Sequence, residues 1–295
     1  MPKTHHRLQG LNITVKVIVN DTVACLLAGN HINPDMRTFV VLGTGLNASV
    51  AVPISTVGPI KFAKHPSSWV EDGDCVLVNS EVSLMGDTIF PKTVWDQALI
   101  QRLPDGVCVQ PLEYLCSGYY IGEIVRLILV QAHQLGCFSS DAVVEMFLEP
   151  YSFPASLIAA LECERTPDLS VSAALTGSLC LTDSESYSLR DLSIIRSISR
   201  SVSLRAAGYV AVVIHSLANF VSISHKNGGS PSKTPGHSVI GVSGALFERL
   251  PGFKDQCEEF LKEIARIENE GAISSFELIS VKLGSTIGSA LAANV

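Results

Sequence analysis

Charged side chains are scarce in this sequence of 295 residues. Asp, Glu, Lys and Arg make up 17% of it, whereas about 25% is usual for a soluble domain. The 21 Lys and Arg are outnumbered by 28 Asp and Glu, so the formal net charge is −7. Such a chain has no positive field to attract nucleic acid or anionic lipid. We therefore predict no nucleic-acid partner, and any phosphate must be held locally by backbone amides or a metal ion.

Closely spaced cysteines and an apolar N-terminal segment are also absent. The eight cysteines lie far apart and include no Cys-x-x-Cys pair, which argues against a zinc site. The first residues, MPKTHHRLQGLNIT, have a short basic start but lack the apolar core of a signal peptide. We therefore predict free thiols, no metal-ligand set and a cytoplasmic location.

One apolar stretch, at 206–224, is long enough to suggest a membrane span. It reads AAGYVAVVIHSLANFVSIS and includes His215, Ser216 and Asn219. Polar groups are costly inside a bilayer, whereas a helix that is apolar on all sides suits the core of a large soluble domain. We predict a core helix and no membrane span.

Hydrophobic residues form 47% of the chain, and their pattern predicts an α/β domain with a mixed sheet. Short Val- and Ile-rich runs bounded by turn residues are typical of buried strands; they occur at 13–19, 38–43, 47–54, 74–79, 237–244 and 274–284. Helical spacing predicts helices after Asp21, at 111–135, 139–147, 190–225 (one helix or two) and 254–270, and from 285 onward. The length allows one large domain or two ordinary ones.

The segment GTGLNA, at 43–48, has the glycine spacing of a dinucleotide-binding loop. Such a loop must open a helix, but the following SVAVPISTVGPI is β-branched and contains Pro53, which disfavours a helix. We therefore predict a hairpin between two strands. The glycines around Thr44 would allow backbone N–H groups to approach a phosphate; a plain hairpin turn is the alternative.

Three polar sites stand at the ends of predicted elements. Asn20 and Asp21 follow the first predicted strand, Glu81 ends another, and Glu113 opens a helix. Strand ends commonly present polar side chains to a crevice. Taken alone, each is more simply explained by a structural role, because Asp is a favoured helix cap and a carboxylate near a helix N-terminus favours the dipole.

Taken together, seven segments resemble successive parts of the large domain of the hexokinases, most similar in character to the fungal hexokinase-like sugar kinases. The resemblance covers about residues 8–295. Two pairs of motifs make it specific when they occur together: NDTV followed some twenty residues later by GTGxN, and E-x-x-x-S-G followed by IGEIVRLIL. The segments are VNDTVACLLAG, VVLGTGLNAS, VNSE, QPLEYLCSGYYIGEIVRLIL, YSFPASLIAALECERTPDLS, SVSLRAAG and IGVSGALFERLPGF.

The resemblance implies the actin-like ATPase, or ribonuclease H-like, fold, in which sugar and MgATP bind between two lobes. Residues 1–19 would be the end of a helix and a strand leading in from the interlobe region, and residues 20–295 the large C-terminal domain, with the small lobe largely absent. The implied reaction is phosphoryl transfer from ATP, carried with Mg²⁺, to the 6-hydroxyl of a hexose. Glucose, mannose, fructose and N-acetylglucosamine are the candidate sugars, at the entry to glycolysis or amino-sugar use.

The same resemblance implies roles for individual residues. Asp21 would be the general base and would bind sugar together with Asn20, Asn47, Glu81 and Glu113. The second phosphate loop would consist of Gly43, Thr44 and Gly45. The nucleoside segments would include Gly241, Ser243, Gly244, Gly284 and Ser285.

The sequence also departs from the family pattern. No Asp-x-Gly-Gly-Thr string, the family's first phosphate loop, occurs in it, and Ser243 and Ala245 replace the usual residues of the adenosine segment. A second interpretation therefore stays open: a hexokinase-like regulatory or sugar-sensing protein that is catalytically weak or inactive. The sequence specifies neither the preferred hexose nor the oligomeric state nor any protein partner.

Overall fold

The structure is a computed structural model that describes residues 14–58, 75–104, 109–139, 147–163, 166, 188–228, 236–268 and 273–294. These residues contain five strands: β1 (Met36–Leu42), β2 (Leu46–Pro53), β3 (Cys75–Asn79), β4 (Gly236–Ser243) and β5 (Ile273–Ser280). They form one sheet in the order β3-β2-β1-β4-β5. The five strands fall within the predicted runs to within a few residues.

The sheet is mixed, as predicted. β1, β2 and β3 pair antiparallel, whereas β4 pairs parallel with β1, and β5 parallel with β4. An antiparallel pair can be joined by a tight turn, whereas parallel strands need a long crossover. Residues 43–45 therefore suffice between β1 and β2, which confirms the predicted hairpin and rules out a dinucleotide loop that opens a helix.

Nine α-helices lie in the part of the chain that the structure describes. They are α1 (Asp21–Ile32), α2 (Val94–Gln101), α3 (Pro111–Cys116), α4 (Ile121–Gln134), α5 (Ala155–Cys163), α6 (Leu189–Asn227), α7 (Ala245–Arg249), α8 (Phe253–Ile267) and α9 (Gly284–Ala292). Short 3-10 turns occur at Ile54–Thr56 and Val82–Leu84.

Helices cover both faces of the sheet. Successive side chains of a strand point to opposite faces, so Phe39 packs with Leu26 of α1 on one side, whereas Val40 belongs to the main core with residues of α3, α4, α5, α6 and α8 on the other. α9 packs against α1. This layering leaves the ends of the strands as the place where polar side chains can converge.

α6 is a single helix of 39 residues, which decides between the one or two helices that the sequence allowed. Among the described residues, it is the one helix that is long and apolar enough to cross a membrane. A stretch of 18 residues within it has a mean hydropathy of 1.6, and 50% of that stretch is buried in the protein. Ala206, Val210 and Ile214 are fully buried in the main core. One face of the helix therefore lies in the core, as predicted, whereas Phe220 and Ile223 on it are 47% and 52% exposed.

Two predicted elements are wrong as stated, and one lies outside the described residues. Residues 14–20 form neither strand nor helix, and Ile18 is 91% exposed; β-branched composition favours extended backbone, but a strand also needs a hydrogen-bonded neighbour. The helix predicted at 111–135 is two helices, interrupted at residues 117–120. Most of the helix predicted at 139–147 falls outside the described residues.

The cysteines agree with the prediction of free thiols as far as the structure describes them. Six are free, at positions 25, 75, 116, 137, 163 and 257; Cys108 and Cys180 lie outside the described residues. Burial raises the pKa of the Cys25 thiol to about 11, an effect that a hydrogen bond with the Ser243 side chain partly offsets. Such a buried thiol is inert at neutral pH.

Candidate active site

A cleft of about 360 Å³ lies at the β1–β2 hairpin, where α1 and α3 begin. It brings together the predicted phosphate loop and four of the five predicted sugar ligands, although these are far apart in sequence. The fifth, Asn20, is not among its lining residues. Its lining residues are Asp21, Thr22, Val41, Gly43, Thr44, Gly45, Leu46, Asn47, Glu81, Ser83, Gln110 and Glu113.

The N-terminus of α1 places Asp21 at the cleft. The N-cap is Asn20, whose Oδ1 accepts from the backbone N–H groups of Thr22 (3.0 Å) and Val23 (3.3 Å) and from the Thr22 hydroxyl (2.6 Å). Ser49 Oγ on β2 donates to the Thr22 carbonyl at 2.7 Å and fastens this first turn to the sheet. The alternative that Asp21 is the cap is therefore wrong. Asp21 is the first helical residue, and its carboxylate is exposed to the cleft.

The loop of Gly43, Thr44 and Gly45 is clamped by the junction between α3 and α4. Gly118 N donates to the Gly43 carbonyl at 2.8 Å, and Tyr119 N donates to the Thr44 carbonyl at 3.2 Å. A Cβ on Gly118 would lie 2.7 Å from the Gly43 oxygen. The chain must leave helical geometry here to make these contacts, which explains why the predicted helix at 111–135 is interrupted.

Glu113, in the first turn of α3, is held against the hairpin. Its Oε2 accepts from Leu46 N at 2.8 Å, and a Cβ on Gly45 would lie 2.5 Å from the same oxygen. Burial raises the pKa of Glu113, and the hydrogen bond from Leu46 partly offsets that effect. The second carboxylate oxygen remains for a ligand.

Asn47 and Glu81 are joined through Asn79, which the sequence analysis did not single out. Asn47 Nδ2 donates to Asn79 Oδ1 at 3.0 Å, and Asn79 Nδ2 donates to Glu81 Oε1 at 2.6 Å. Glu81 has left-handed backbone angles, φ 47° and ψ 43°. Gln110 and Ser83 were also missed. The strings VNSE and QPLE contained Asn79 and Gln110, but a single sequence does not show which side chain faces the cleft.

The predicted nucleoside residues lie beside the cleft, and none of the five is among the residues that line it. Ser243 is directly opposite Val41 in the sheet. Gly244, with φ 107°, lies so close to the Leu42 carbonyl that no Cβ fits. Gly241 is within β4, where a Cβ would collide with Phe39. Gly284 packs against Cys25 of α1, and Ser285 is exposed in the first turn of α9.

The cleft is acidic. Asp21, Glu81 and Glu113 contribute three carboxyl groups, and no Lys or Arg is among its described lining residues. Within the described part of the chain, no group of three or more His, Cys, Asp or Glu side chains could hold a metal ion. The lining is therefore suited to a neutral ligand rich in hydroxyl groups, and an anionic group here would need backbone N–H donors or a cation that arrives with it.

Curated relatives match almost the whole chain. Hexokinase-2 of Arabidopsis thaliana is 29% identical over 285 residues, 96% of this chain and 53% of its own length. Hexokinase-1 of Oryza sativa subsp. japonica is 30% identical over 97% of this chain and 54% of its own length, and hexokinase-1 of Saccharomyces cerevisiae is 24% identical over 96% and 55%. The chain thus spans about half the length of the curated relatives that it matches.

Solved structures confirm the predicted fold. A Schistosoma mansoni hexokinase complexed with glucose superposes with a TM-score of 0.75 at 23% identity, over 95% of this chain and 57% of that one. A second hexokinase crystal structure gives a TM-score of 0.71 at 24% identity, over 97% and 57%. The fold is therefore the α/β, actin-like ATPase fold. A family model described as hexokinase matches residues 37–295, well over half of the sequence, and the chain belongs to the hexokinase family.

Proposed function

We propose that this chain carries the sugar-binding and catalytic face of an ATP-dependent hexose kinase. The observation that carries the proposal is the convergence of Asp21, Asn47, Glu81 and Glu113 in one cleft beside the loop at residues 43–45. These residues come from α1, the β1–β2 hairpin, the end of β3 and the start of α3. A purely structural role for each does not require them to share a cleft.

The hydrogen bonds within the protein decide what the two asparagines would offer to a sugar. Asn20 Oδ1 is occupied by the cap of α1, and Asn47 Oδ1 accepts from Ala48 N at 2.7 Å. Both therefore present N–H donors, while the carboxylates of Asp21, Glu81 and Glu113 present acceptors. A sugar hydroxyl both donates and accepts, so adjacent hydroxyls of a hexose would be bound between an amide and a carboxylate.

Asp21 would act as the general base. As the sugar 6-hydroxyl oxygen attacks the γ-phosphorus of ATP, its proton would pass to the Asp21 carboxylate and the bond to the ADP oxygen would break. A positioned base typically contributes roughly 10²- to 10⁴-fold, and positioning and charge neutralisation supply most of the rest in phosphoryl transfer.

The phosphates of MgATP, a substrate here, would lie at the loop of Gly43, Thr44 and Gly45. The Thr44 hydroxyl is exposed, and Gly43 lies next to the Gly244–Ala245 turn, since a Cβ on Gly43 would be 3.6 Å from Ala245 N. The two turns thus form one surface with little side-chain bulk, which the approach of a phosphate requires. Mg²⁺ bound to the nucleotide would reduce, without cancelling, the repulsion between its phosphates and the three carboxylates of the cleft.

A sugar-sensing protein without useful catalysis is the second candidate. The acidic lining favours it, because that lining suits hexose binding better than it suits phosphate binding. Under both candidates, we propose that the chain is cytoplasmic and has no membrane span. We also propose that its large domain runs from residue 20 to residue 295.

The test is a coupled assay of ADP release by the full chain with glucose, mannose, fructose and N-acetylglucosamine, run beside Asp21→Asn. This variant keeps the size of the side chain and removes the base. A kinase predicts turnover by the wild type, a loss of roughly 10²-fold or more in kcat for Asp21→Asn, and little change in the sugar concentration needed for thermal stabilisation.

The outcomes separate the candidates. Stabilisation by a hexose without turnover would favour the sugar-sensing protein. Turnover that survives Asp21→Asn would contradict the role of Asp21. A chain that shows neither turnover nor stabilisation with any of the four sugars would overturn both candidates.

A further inference from the structure

Asn79, the last residue of β3, makes side-chain contacts with two proposed sugar ligands. We propose that Asn79 is a positioning residue that fixes the orientation of Asn47 and Glu81 and thereby sets the affinity of the cleft for a hexose. This inference rests on the proposed function, since it concerns the same cleft.

Both polar ends of the Asn79 amide are used. Oδ1 accepts from Asn47 Nδ2 at 3.0 Å and from Glu81 N at 3.3 Å, and Nδ2 donates to Glu81 Oε1 at 2.6 Å. Only a side chain with a donor and an acceptor on one rigid group can serve an amide on one side and a carboxylate on the other. An ionised Asp has no donor, and a hydrophobic side chain of similar size has neither a donor nor an acceptor.

These bonds define which atoms the two ligands present. If the oxygen and nitrogen of the Asn47 amide were exchanged, Oδ1 would face Asn79 Oδ1 and Nδ2 would face Ala48 N, which pairs acceptor with acceptor and donor with donor. The Asn47 N–H groups must therefore face Asn79 and the cleft. Glu81 Oε1 is held, which leaves Oε2 for a hydroxyl. Left-handed backbone is costly for a residue such as Glu, and the bond from Glu81 N to Asn79 helps to maintain it.

The strand end itself is fastened by a different residue. Ser80 N and Ser80 Oγ both donate to the Ala48 carbonyl, at 3.0 Å and 2.8 Å, and Asn79 lies directly opposite Ser49 in the ladder. The hydrogen bonds that the structure describes for the Asn79 side chain all join it to Asn47 or Glu81. Removal of Ser80 Oγ therefore serves as a matched control that disturbs the same strand end without touching Asn47 or Glu81.

The experiment measures glucose affinity by calorimetry, and the melting temperature, for the full chain and for Asn79→Asp, Asn79→Ala and Ser80→Ala. Asn79→Asp keeps the acceptor for Asn47 but sets a carboxylate oxygen against Glu81 Oε1. Each variant is compared with the wild type at about pH 5.5 and about pH 8, so that any pH dependence common to all of these proteins cancels.

We expect Asn79→Ala to weaken glucose binding about tenfold. Asn79→Asp should weaken it more at the higher pH than at the lower one, since the introduced Asp, once protonated, again has a donor for Glu81 Oε1. Ser80→Ala should lower the melting temperature and leave the affinity as in the wild type.

Three results would overturn the inference. The first is unchanged affinity in both Asn79 variants, and the second is an equal loss of affinity in Ser80→Ala. The third is an affinity of Asn79→Asp that shows no more pH dependence than that of the wild type, and this result decides if Asn79→Ala does not fold. A folded wild type that binds no hexose would instead overturn the proposed function, and the role of Asn79 with it.

Discussion

Among single residues, the proposed ligands differ in how much of their hydrogen-bonding capacity is used within the protein. Asn20 Oδ1 accepts from three donors, whereas Asn47 Oδ1 and Glu113 Oε2 each accept from one backbone N–H. Asp21 Oδ1 accepts from Thr22 N at 2.8 Å, and its carboxylate is exposed at the cleft. Glu113 is the least favourable of them for folding, because its carboxylate loses water and gains only one backbone donor. Its charge is retained at a cost to stability.

Glu113→Gln should therefore make the protein more stable and bind sugar less well. The pKa of Glu113 is raised from its ordinary value of 4.5, so the folded state holds the proton more tightly than the unfolded state. Stability consequently falls as pH rises from that value through the raised pKa, and the penalty is complete above it. We expect Glu113→Gln to raise the melting temperature by about 2 °C near neutral pH.

The gain should fade as the pH is lowered toward the ordinary pKa of a glutamate, and glucose affinity should fall by roughly tenfold. Glu248→Gln is the control, since this exposed carboxylate also accepts from a backbone N–H, that of Gly244, without the burial. A melting temperature that drops at neutral pH in Glu113→Gln would show that its charge stabilises the fold.

Among the elements, those with a local signature were predictable and those set by distant contacts were not. The β1–β2 hairpin followed from β-branched residues and Pro53 after the glycines. The break between α3 and α4 did not, because helical spacing continues through 117–120 and the cause is the carbonyl of Gly43, more than 70 residues away. Asn79 was missed for the same reason: its partner Asn47 lies on another strand.

Glycines allow two helices to approach closely, and α9 depends on this. Gly288 faces the Ala24 backbone of α1 without room for a Cβ, which would lie 2.8 Å from Ala24 Cα. By contrast, a Cβ on Gly208 of α6 would meet the Phe260 ring at 3.6 Å, an ordinary contact. The same substitution should have opposite effects at these two positions.

We expect Gly288→Ala to lower the free energy of unfolding by about 1 to 3 kcal/mol, because α9 must move away from α1. Gly208→Ala should raise it by about 0.4 to 1 kcal/mol, since alanine has fewer conformations to lose on folding. Urea unfolding of both variants checks the pair. Equal destabilisation by the two would contradict the close approach of α9 to α1.

In the molecule as a whole, long-range charge acts against one of the two proposed substrates. The net charge of −7 and the three carboxylates of the cleft exert no net long-range force on a neutral hexose, but they repel an anionic nucleotide. Charge and composition were available from the sequence alone. That the carboxylates meet in one place without a lining Lys or Arg required the fold, because they come from separate elements.

The affinity of the chain for MgATP should therefore increase with salt, contrary to the usual behaviour of a cationic phosphate site. Raising KCl from about 20 mM to about 150 mM shortens the screening length to about 8 Å and weakens the repulsion, so we expect the Kd for MgATP to fall by about twofold. The Kd for glucose should not change, because glucose carries no charge. Calorimetric titrations of both ligands at the two salt concentrations test this. If salt instead weakens MgATP binding, cations must dominate the phosphate site, and the acidic lining would then no longer favour a sugar-sensing protein over a kinase.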